Sequence, residues 1–493
     1  MSNQTEAQTE AQTGGLPAGP ALAPRSSWLA LAVVSLGLFL AVVSTTVVSV
    51  ALPTVGRDLH IGATGLEWVV DSYVLVYASL LVAGGSLGDR YGRKGLFLLG
   101  LAIFGCGSLL TGLAPTIGLL IAGRVLQGLG PALLVPGSLT IIRAMFGNPR
   151  QRAAAIGIWS TSSGVALAVG PPLGGVLVTW LGWRSVFLLN PPLAAALFAV
   201  GARFLPRLPR TGPRSAFDWP AVMLTTAGVG LLALGVIEGQ DRGWASGWVL
   251  AAFAAGAAAL AGFTVAELRR RDPLVDVRIF RQLPFTVVNV TSAVVFFAFV
   301  GAIVYFSAFF QQVQGHSPIA AGLDVAAVGV AWMITAPLSG RLVALTGERW
   351  PLMIGLLVSG AATLGLLRLH PATPLSTIWW SFALLGAGVG ISGTPSSSIA
   401  MSAVTAARAG MASAVNNASR QIGQVFGIAV LGALVYARLP GGSGTGGRLD
   451  PARQAAFVTG LHHALWVSGL ALLAAAALTG LLFTRRAVAP APR

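Results

Sequence analysis

The sequence predicts an all-α integral membrane protein that crosses a bilayer fourteen times. Three observations carry that expectation: long uncharged apolar blocks, few charges overall, and basic residues gathered in alternate short segments between blocks. Hydrophobic residues make up 55% of the 493 and charged residues only 9%, with a mean hydropathy of +0.78. Soluble domains carry roughly 25% charged residues, and so few charges could not cover the surface of a soluble chain this long. Blocks such as 28–50, 96–114 and 464–483 supply about the 20 residues that span a hydrocarbon core.

The blocks run 28–52, 66–87, 95–114, 117–142, 153–179, 185–202, 217–238, 246–267, 284–310, 319–340, 351–367, 376–399, 410–437 and 460–484. They divide the chain into a polar tail (1–27), a six-span half (28–204), an inserted pair of spans with basic flanks (205–282), a second six-span half (283–484) and a short tail (485–493). The first tail is polar, repetitive and rich in Pro and Gly, and is expected to be disordered and cytoplasmic. No secretory leader is expected, because the first block is too long and no basic region opens the chain.

The net charge of +16 raises nucleic acid as a partner. The basic residues, however, lie in loops between apolar blocks, as in segments held against an anionic membrane surface, so no nucleic acid is expected. With the N-terminus inside, the cytoplasmic segments hold about three times as many Arg and Lys as the outer ones, which obeys the positive-inside rule and puts both termini in the cytoplasm. Trp68, Trp180, Trp183, Trp244 and Trp248 fall near the outer edges, where interfacial anchors belong. The single cysteine, Cys106, lies inside a block and excludes an intrachain disulfide framework and any multi-cysteine metal site.

An internal repeat is visible. "GSLGDRYGRK" (85–94) joins the second and third spans, and "GRLVALTGER" (340–349) joins the tenth and eleventh. Gly85, Leu87 and Gly92 match Gly340, Leu342 and Gly347 at one common offset of 255 residues. Arg152 and Arg408, each just before a later span, repeat the relation one residue further apart. Two related halves around a central site is a transporter layout.

Several motifs can be read physically. Glycines in 85–94 permit a tight turn between helices, and Asp89, Arg90, Arg93 and Lys94 form a charge cluster there. In "RVLQGLGPALLVP" (124–136), Arg124 and Gln127 share a helix face. A guanidinium inside a span is costly and marks either function or a snorkelling, structural arginine. In the fifth span Ala153, Gly157, Thr161, Gly164, Ala168 and Gly175 form a small-residue stripe that lets helices approach closely, and Pro171 and Pro172 should bend it. In the thirteenth, Asn416, Arg420, Gly423, Gln424 and Gly427 share one face, which lines a hydrated cavity or packs as a polar seam.

These stretches resemble the major facilitator superfamily. "GSLGDRYGRKG" is similar to its cytoplasmic loop signature, "RVLQGLGPALLVP" to its fourth-span signature and "GVALAVGPPLGGVL" (164–177) to the fifth-span signature of its antiporters. "GMASAVNNASRQIGQVFGIAV" (410–430) and "DPLVDVRIFRQ" (272–282) resemble the fourteen-span drug:proton antiporters. The resemblance runs from about residue 28 to 484. It implies the major facilitator fold, with two inserted helices between the halves, and multidrug or antibiotic efflux. It also implies a conformational latch at Gly85, Asp89, Arg90, Gly92 and Arg93. Arg124 would couple protonation to shape. Gly164, Gly170, Pro171, Pro172, Gly174 and Gly175 would form the antiporter helix. Gln127, Asn416, Arg420 and Gln424 would line the substrate cavity. A solvated topogenic loop is the alternative for the latch, and static packing for the fifth span.

One departure matters. Such pumps usually carry an Asp in the first span, where this chain has Ser44, and serine cannot take up a proton. Of the fifteen acids, only Asp71 and Asp324 fall well within blocks, at similar depths in corresponding spans of the two halves; Glu67 falls at an outer edge. An acid in an apolar span favours its neutral form, and a nearby Arg its charged form, so Asp71 is the expected coupling acid and Asp324 a substrate or second-proton contact. Simple hydration near the outer interface is the alternative for both.

No P-loop, HExxH, GxSxG or paired-cysteine pattern occurs, and "GGSGTGG" (441–447) lacks the P-loop lysine; neither an enzyme nor a cofactor is expected. Without ATP machinery, transport must use a gradient. The expected partners are a small amphipathic substrate, a proton and membrane lipid, with the chain a monomer in the cell membrane. Export of one endogenous metabolite, a non-transporting receptor on the same fold, and gradient-driven uptake are the other readings. Uptake is disfavoured by the antiporter-like fifth span.

Overall fold

The computed structural model describes residues 24–209, 218–270, 273, 275–404, 409–437, 439 and 448–484. Most of both expected tails, the loop at 441–447 and Arg408 lie outside them. Among the described residues there is no strand. Fourteen long helices follow one another: α1 (Pro24–Leu59), α2 (Ala63–Tyr91), α3 (Arg93–Gly112), α4 (Ile117–Met145), α5 (Pro149–Leu181), α6 (Arg184–Phe204), α7 (Trp219–Arg242), α8 (Gly247–Arg269), α9 (Leu283–Ala308), α10 (Pro318–Thr346), α11 (Arg349–Gly365), α12 (Leu375–Ser402), α13 (Ala409–Tyr436) and α14 (Pro451–Thr484). Thirteen are long and apolar enough to cross a membrane; α2, of 29 residues, is packed among them.

Several helices outrun their apolar blocks. α1 continues seven residues past residue 52, and α14 begins nine residues before 460. Hydropathy marks where hydrocarbon ends, whereas the helix needs only backbone bonding and continues through Arg57 and Asp58. α6 is broken at Leu189, where Pro191 and Pro192 occupy the first turn of the second piece (Asn190–Phe204). α9 runs on into a π turn (Phe309–Val313).

The two halves repeat one packing scheme. In the first, α2 and α3 pack on α4, α1 on α5, and α3 on α6; in the second, α10 and α11 pack on α12, α9 on α13, and α11 on α14. Lipid offers no hydrophobic drive between helices, so close backbone approach does the work. A Cβ at Gly100 would lie 2.7 Å from the Gly130 carbonyl oxygen, and one at Gly355 would lie 2.6 Å from that of Gly388. These two glycines are again 255 apart.

The matched loops obey the same offset. Gly92 (φ 105°) separates α2 from α3 and Gly347 (φ 76°) separates α10 from α11, both in the region that favours glycine. Lys94 Nζ donates to the Ala202 and Leu205 carbonyls, each at 2.8 Å, at the end of α6. Arg349, 255 residues on, donates to the Gly480 carbonyl of α14 at 3.3 Å. Each half thus ties its third helix to carbonyls near the end of its last.

The inserted pair, α7 and α8, packs as a hairpin, and α7 also touches α2 and α13, one helix from each half. Asp218 caps α7 through the Ala221 amide and pairs with Arg270, beyond the end of α8. Trp180, Trp244 and Trp248 are exposed. Trp183 is not a lipid anchor: it is buried, and its indole donates to Asp58 at 2.7 Å while Arg184 contacts the same carboxylate at 2.9 Å. A nearby carboxylate offers the indole a stronger partner than the headgroups would.

Candidate functional site

Arg124 is fully buried inside the first half. Its Nε donates to the Val69 carbonyl of α2 at 2.8 Å, and its Nη1 to Gln127 Oε1 at 2.7 Å and to Ser44 Oγ of α1 at 3.3 Å. The guanidinium lies 4.2 Å from the centroid of the Tyr73 ring, a cation–π distance. Gln127 completes the knot by donating to Ser44 Oγ at 3.0 Å and to Ser108 Oγ of α3 at 2.6 Å. Ser44 therefore faces Arg124 directly, and the arginine's hydrogen-bond partners among the described residues are neutral groups. Gln127, expected to line a cavity, is enclosed by α1, α3 and α4.

Asp71 and Arg124 occupy different surroundings. Asp71 is 0% exposed, and neither carboxyl oxygen has a hydrogen-bond partner among the described residues. One turn earlier on α2, Glu67 is 4% exposed and faces the second half, with Oε1 3.4 Å from the Tyr305 hydroxyl of α9. That hydroxyl is 2.6 Å from the Ile428 carbonyl of α13. Glu67, Tyr305, Tyr436 and Ser49 line one cavity between the halves. The sequence placed Glu67 at an outer edge. Its depth agrees, but it is sealed between halves rather than hydrated. The available signal was its spacing of four from Asp71, which puts both acids on one helix face.

The halves meet along two equivalent seams, α5 with α10 and α2 with α13. On α5, Gly164 and Gly175 face α10, and Gly170 and Gly174 face Thr46 and Val47 of α1. A Cβ at Gly175 would lie 2.6 Å from Ile319 Cα; Gly322 packs on the Pro171–Pro172 backbone, and Gly329 on Ala168. Near mid-helix, a Cβ at Gly164 would be 3.1 Å from Met333 Cα. Gly157 and Gly340, seven residues further along the same faces, have nothing within 4 Å among the described residues. α5 and α10 are therefore closed from the middle to the end bearing the α5–α6 turn, and diverge toward the end bearing the basic loops. The small-residue stripe touches its partner along only part of its length.

On α13, Asn416 is buried and donates to Ser292 Oγ of α9 at 3.0 Å, in a network that includes Asn289, Ser396 and Ser419. Arg420 donates to Ser397 Oγ at 2.8 Å and to the Gly393 carbonyl of α12 at 3.2 Å, with its guanidinium 5.7 Å from the Phe296 ring centroid. The Gln424 amide nitrogen is buried with no hydrogen-bond partner among the described residues. Asp324 lies near the opposite end of α10 from the basic loops and contacts His316 Nδ1 at 2.6 Å, the imidazole stacking on Phe310. Of the loop cluster, Arg90 lies 5.6 Å from the Tyr91 ring centroid and Arg93 packs beside Gly88 and Gly137. Gly85 lies 3.5 Å, by its Cβ position, from Pro136. The Asp89 side chain lies outside the described residues. No group of three or more His, Cys, Asp or Glu that could hold a metal occurs among the described residues.

Two pseudo-repeated helical halves, closed at one end, diverging at the other, with charged and polar groups buried between and within them, define a membrane transporter. The Major Facilitator Superfamily model matches residues 34–428, and the chain belongs to that family. The chain is 36% identical to the multidrug resistance protein Stp of Mycobacterium tuberculosis over 84% of its length and 77% of that protein. It is 30% identical to the tetracenomycin C resistance and export protein of Streptomyces glaucescens over 97% and 96% of the two chains, and 33% identical to the multidrug efflux pump LfrA of Mycolicibacterium smegmatis over 94% and 97%. The fold is that of a bacterial homologue of the human lysosomal transporter Spinster in its inward-facing, occupied conformation. The TM-score is 0.69 at 18% identity, covering 96% of this chain and 100% of that one.

Proposed function

We propose that this protein is a proton-driven exporter of drugs or antibiotics in the cell membrane, with both termini and the basic loops cytoplasmic. The observation that carries this reading is the α5–α10 seam, closed at one end and diverging at the basic end, together with an unpartnered buried acid, Asp71, on α2. In that geometry the diverging end faces the cytoplasm, where an exporter loads substrate. Asp71 is the coupling acid. Arg124 holds α1, α2 and α4 as one unit, so that a change at α2 moves the half together. Arg420 and Gln424 face the substrate path, and Asp324 with His316 serves the outer mouth. The loop at Gly85, Asp89, Arg90, Gly92 and Arg93 latches the cytoplasmic end in the opposite state. One charge crossing the membrane potential releases ~2.3 kcal/mol per 100 mV, enough for useful efflux.

The test is an efflux panel in a pump-deficient host, with and without a protonophore, for the parent and Asp71→Asn. Efflux that the protonophore abolishes and Asp71→Asn lacks is expected. Efflux indifferent to both refutes the proton-coupled reading. Export of a single endogenous antibiotic is the second reading, favoured by the relatives named for tetracenomycin C and methylenomycin A. A panel in which one such compound alone is exported would select it.

A further inference from the structure

We propose that Arg420, with Tyr77, Phe296 and Trp332, forms a mid-span site for aromatic compounds that carry an anionic group, a carboxylate or a phenolate. The inference rests on the efflux reading above and narrows its substrate class; cationic drugs are the class it disfavours.

The site draws on both halves. In the second half, the Arg420 guanidinium lies 5.7 Å from the Phe296 ring centroid, and the Trp332 ring lies 5.9 Å from Phe296 and 5.0 Å from Phe299. From the first half, Tyr77 of α2 is near enough for the Arg420 charge to act on its hydroxyl. Trp332 directly precedes Met333, whose Cα would lie 3.1 Å from a Cβ at Gly164. That is the level from which α5 and α10 diverge, so the cluster stands at the head of the open end. Phe296 and Trp332 are only partly buried, so an aromatic guest can pack on them.

The polar groups of the cluster ask for an acceptor. Arg420 spends a single nitrogen, Nη2, on two neutral partners, Ser397 Oγ and the Gly393 carbonyl. Its Nε and Nη1 bond no group among the described residues, yet neither is sealed inside the protein. Arg124, by contrast, is fully enclosed. One turn from Arg420 on the same face, Gln424 is 4% exposed and its amide nitrogen has no acceptor among the described residues.

Among the described residues no carboxylate pairs with Arg420. Asp71 and Glu67 come six and ten residues before Tyr77 on α2, toward the closed end, and Asp89 comes twelve after it. Asp324 contacts His316, and Glu348, the acid that reaches α12, bonds Ser398 rather than the guanidinium. A positive charge held within a span without a counter-ion is costly. An anionic guest removes that cost and gains charge-assisted hydrogen bonds, whereas a cation meets repulsion. An anion leaving the cell also moves with an inside-negative potential, and a cation against it.

The test uses three probes with one ring system and one chain length: pyrenebutyrate, pyrenebutanol and pyrenebutylamine. Binding to the full chain in lipid nanodiscs is read at neutral pH as energy transfer from tryptophan to pyrene, with empty nanodiscs correcting for partition into lipid. The butyrate is expected to bind about tenfold more tightly than the amine, the worth of one charge-assisted hydrogen bond, with the alcohol between them. Arg420→Gln should abolish the preference, Arg420→Lys should keep it, and Phe296→Ala should weaken all three probes alike. A parent that binds the amine as tightly as the butyrate overturns the site, and that comparison needs no variant to fold. An Arg420→Gln protein that still prefers the butyrate overturns it too. Binding here needs no proton gradient, so either failure leaves the efflux panel to judge the proton-driven reading on its own.

Discussion

Gly175→Ala should drive the protein out of the state seen here without touching any polar group. A Cβ at this position would lie 2.5 Å from the Pro318 carbonyl oxygen, 2.6 Å from Ile319 Cα and 2.8 Å from Pro318 C, where ordinary contact begins at 3.4 Å. The three nearest atoms are backbone, so no rotamer relieves the clash and α5 must separate from α10 by about 0.9 Å at the end bearing the α5–α6 turn. Overpacking of that kind costs ~1–3 kcal/mol. The cost falls only on the conformation in which these ends touch, so the outer-closed population should fall ~5–150-fold relative to the outer-open one. The assay uses Ser49→Cys in Cys106→Ser protein. Ser49 is buried in the cavity between halves, and Cys106 is the only native thiol. Gly175→Ala should accelerate labelling of that cysteine by a membrane-impermeant maleimide applied from outside. Gly157→Ala, where nothing among the described residues lies within 4 Å, should leave the rate unchanged. Equal labelling in the Gly175→Ala variant and the parent would refute the view that these backbone contacts hold the outer end shut.

Other expectations follow from the same geometry. Arg124→Ala should lower the melting temperature in detergent as well as stop transport, because it removes three hydrogen bonds and leaves the buried Gln127 Oε1 without its donor, at ~1–3 kcal/mol; undiminished stability would show that water or neighbours refill the knot. Ser44→Asp should place a carboxylate against Arg124 and shift the pH profile of efflux, read in inverted vesicles; an unmoved profile would make Ser44 a bystander. Lys94→Met and Arg349→Met should each cost about 1 kcal/mol of stability, since both cap last-helix carbonyls, and the double variant should be additive because the sites lie in different halves. Marked non-additivity would show the two caps communicating.

How far the sequence could be read depended on which physical constraint was in question. Lipid forces every span to be long, apolar and helical, so the fourteen spans were legible, with the largest boundary errors where α1 and α14 run past the hydrocarbon. Gly92 and Gly347 were legible because a turn of that conformation leaves few choices. Facing was harder. Arg124 and Gln127 clearly shared a face, but nothing local says whether that face meets a cavity or the helix next door; Ser44 and Ser108, distant in sequence, decide it. Glu67 was read for depth alone, and depth cannot distinguish a hydrated edge from a closed seam. The contact of Gly432 with Glu67 and Tyr305 requires knowing that α2, α9 and α13 converge, which is a property of the assembled halves.

The repeat itself indicates which parts of the structure are shared machinery. At the offset of 255, the halves agree at Gly92 and Gly347, Lys94 and Arg349, and Gly100 and Gly355: a turn, a tether to the last helix and a close helix contact. All three keep a half rigid. The same offset from Arg124 reaches Trp379, and from Asp71 it reaches Ala326. The polar centre is therefore not repeated. In the first half it is a closed knot holding α1, α2, α3 and α4 together, and in the second it is an open network across α9, α12 and α13 with Arg420 only partly buried. Two halves built on one packing scheme with unlike centres can respond differently to one chemical event between them. On the proposed coupling at Asp71, a proton bound on α2 would act on a half tied together by the Arg124 knot, so its effect would be passed to the seams.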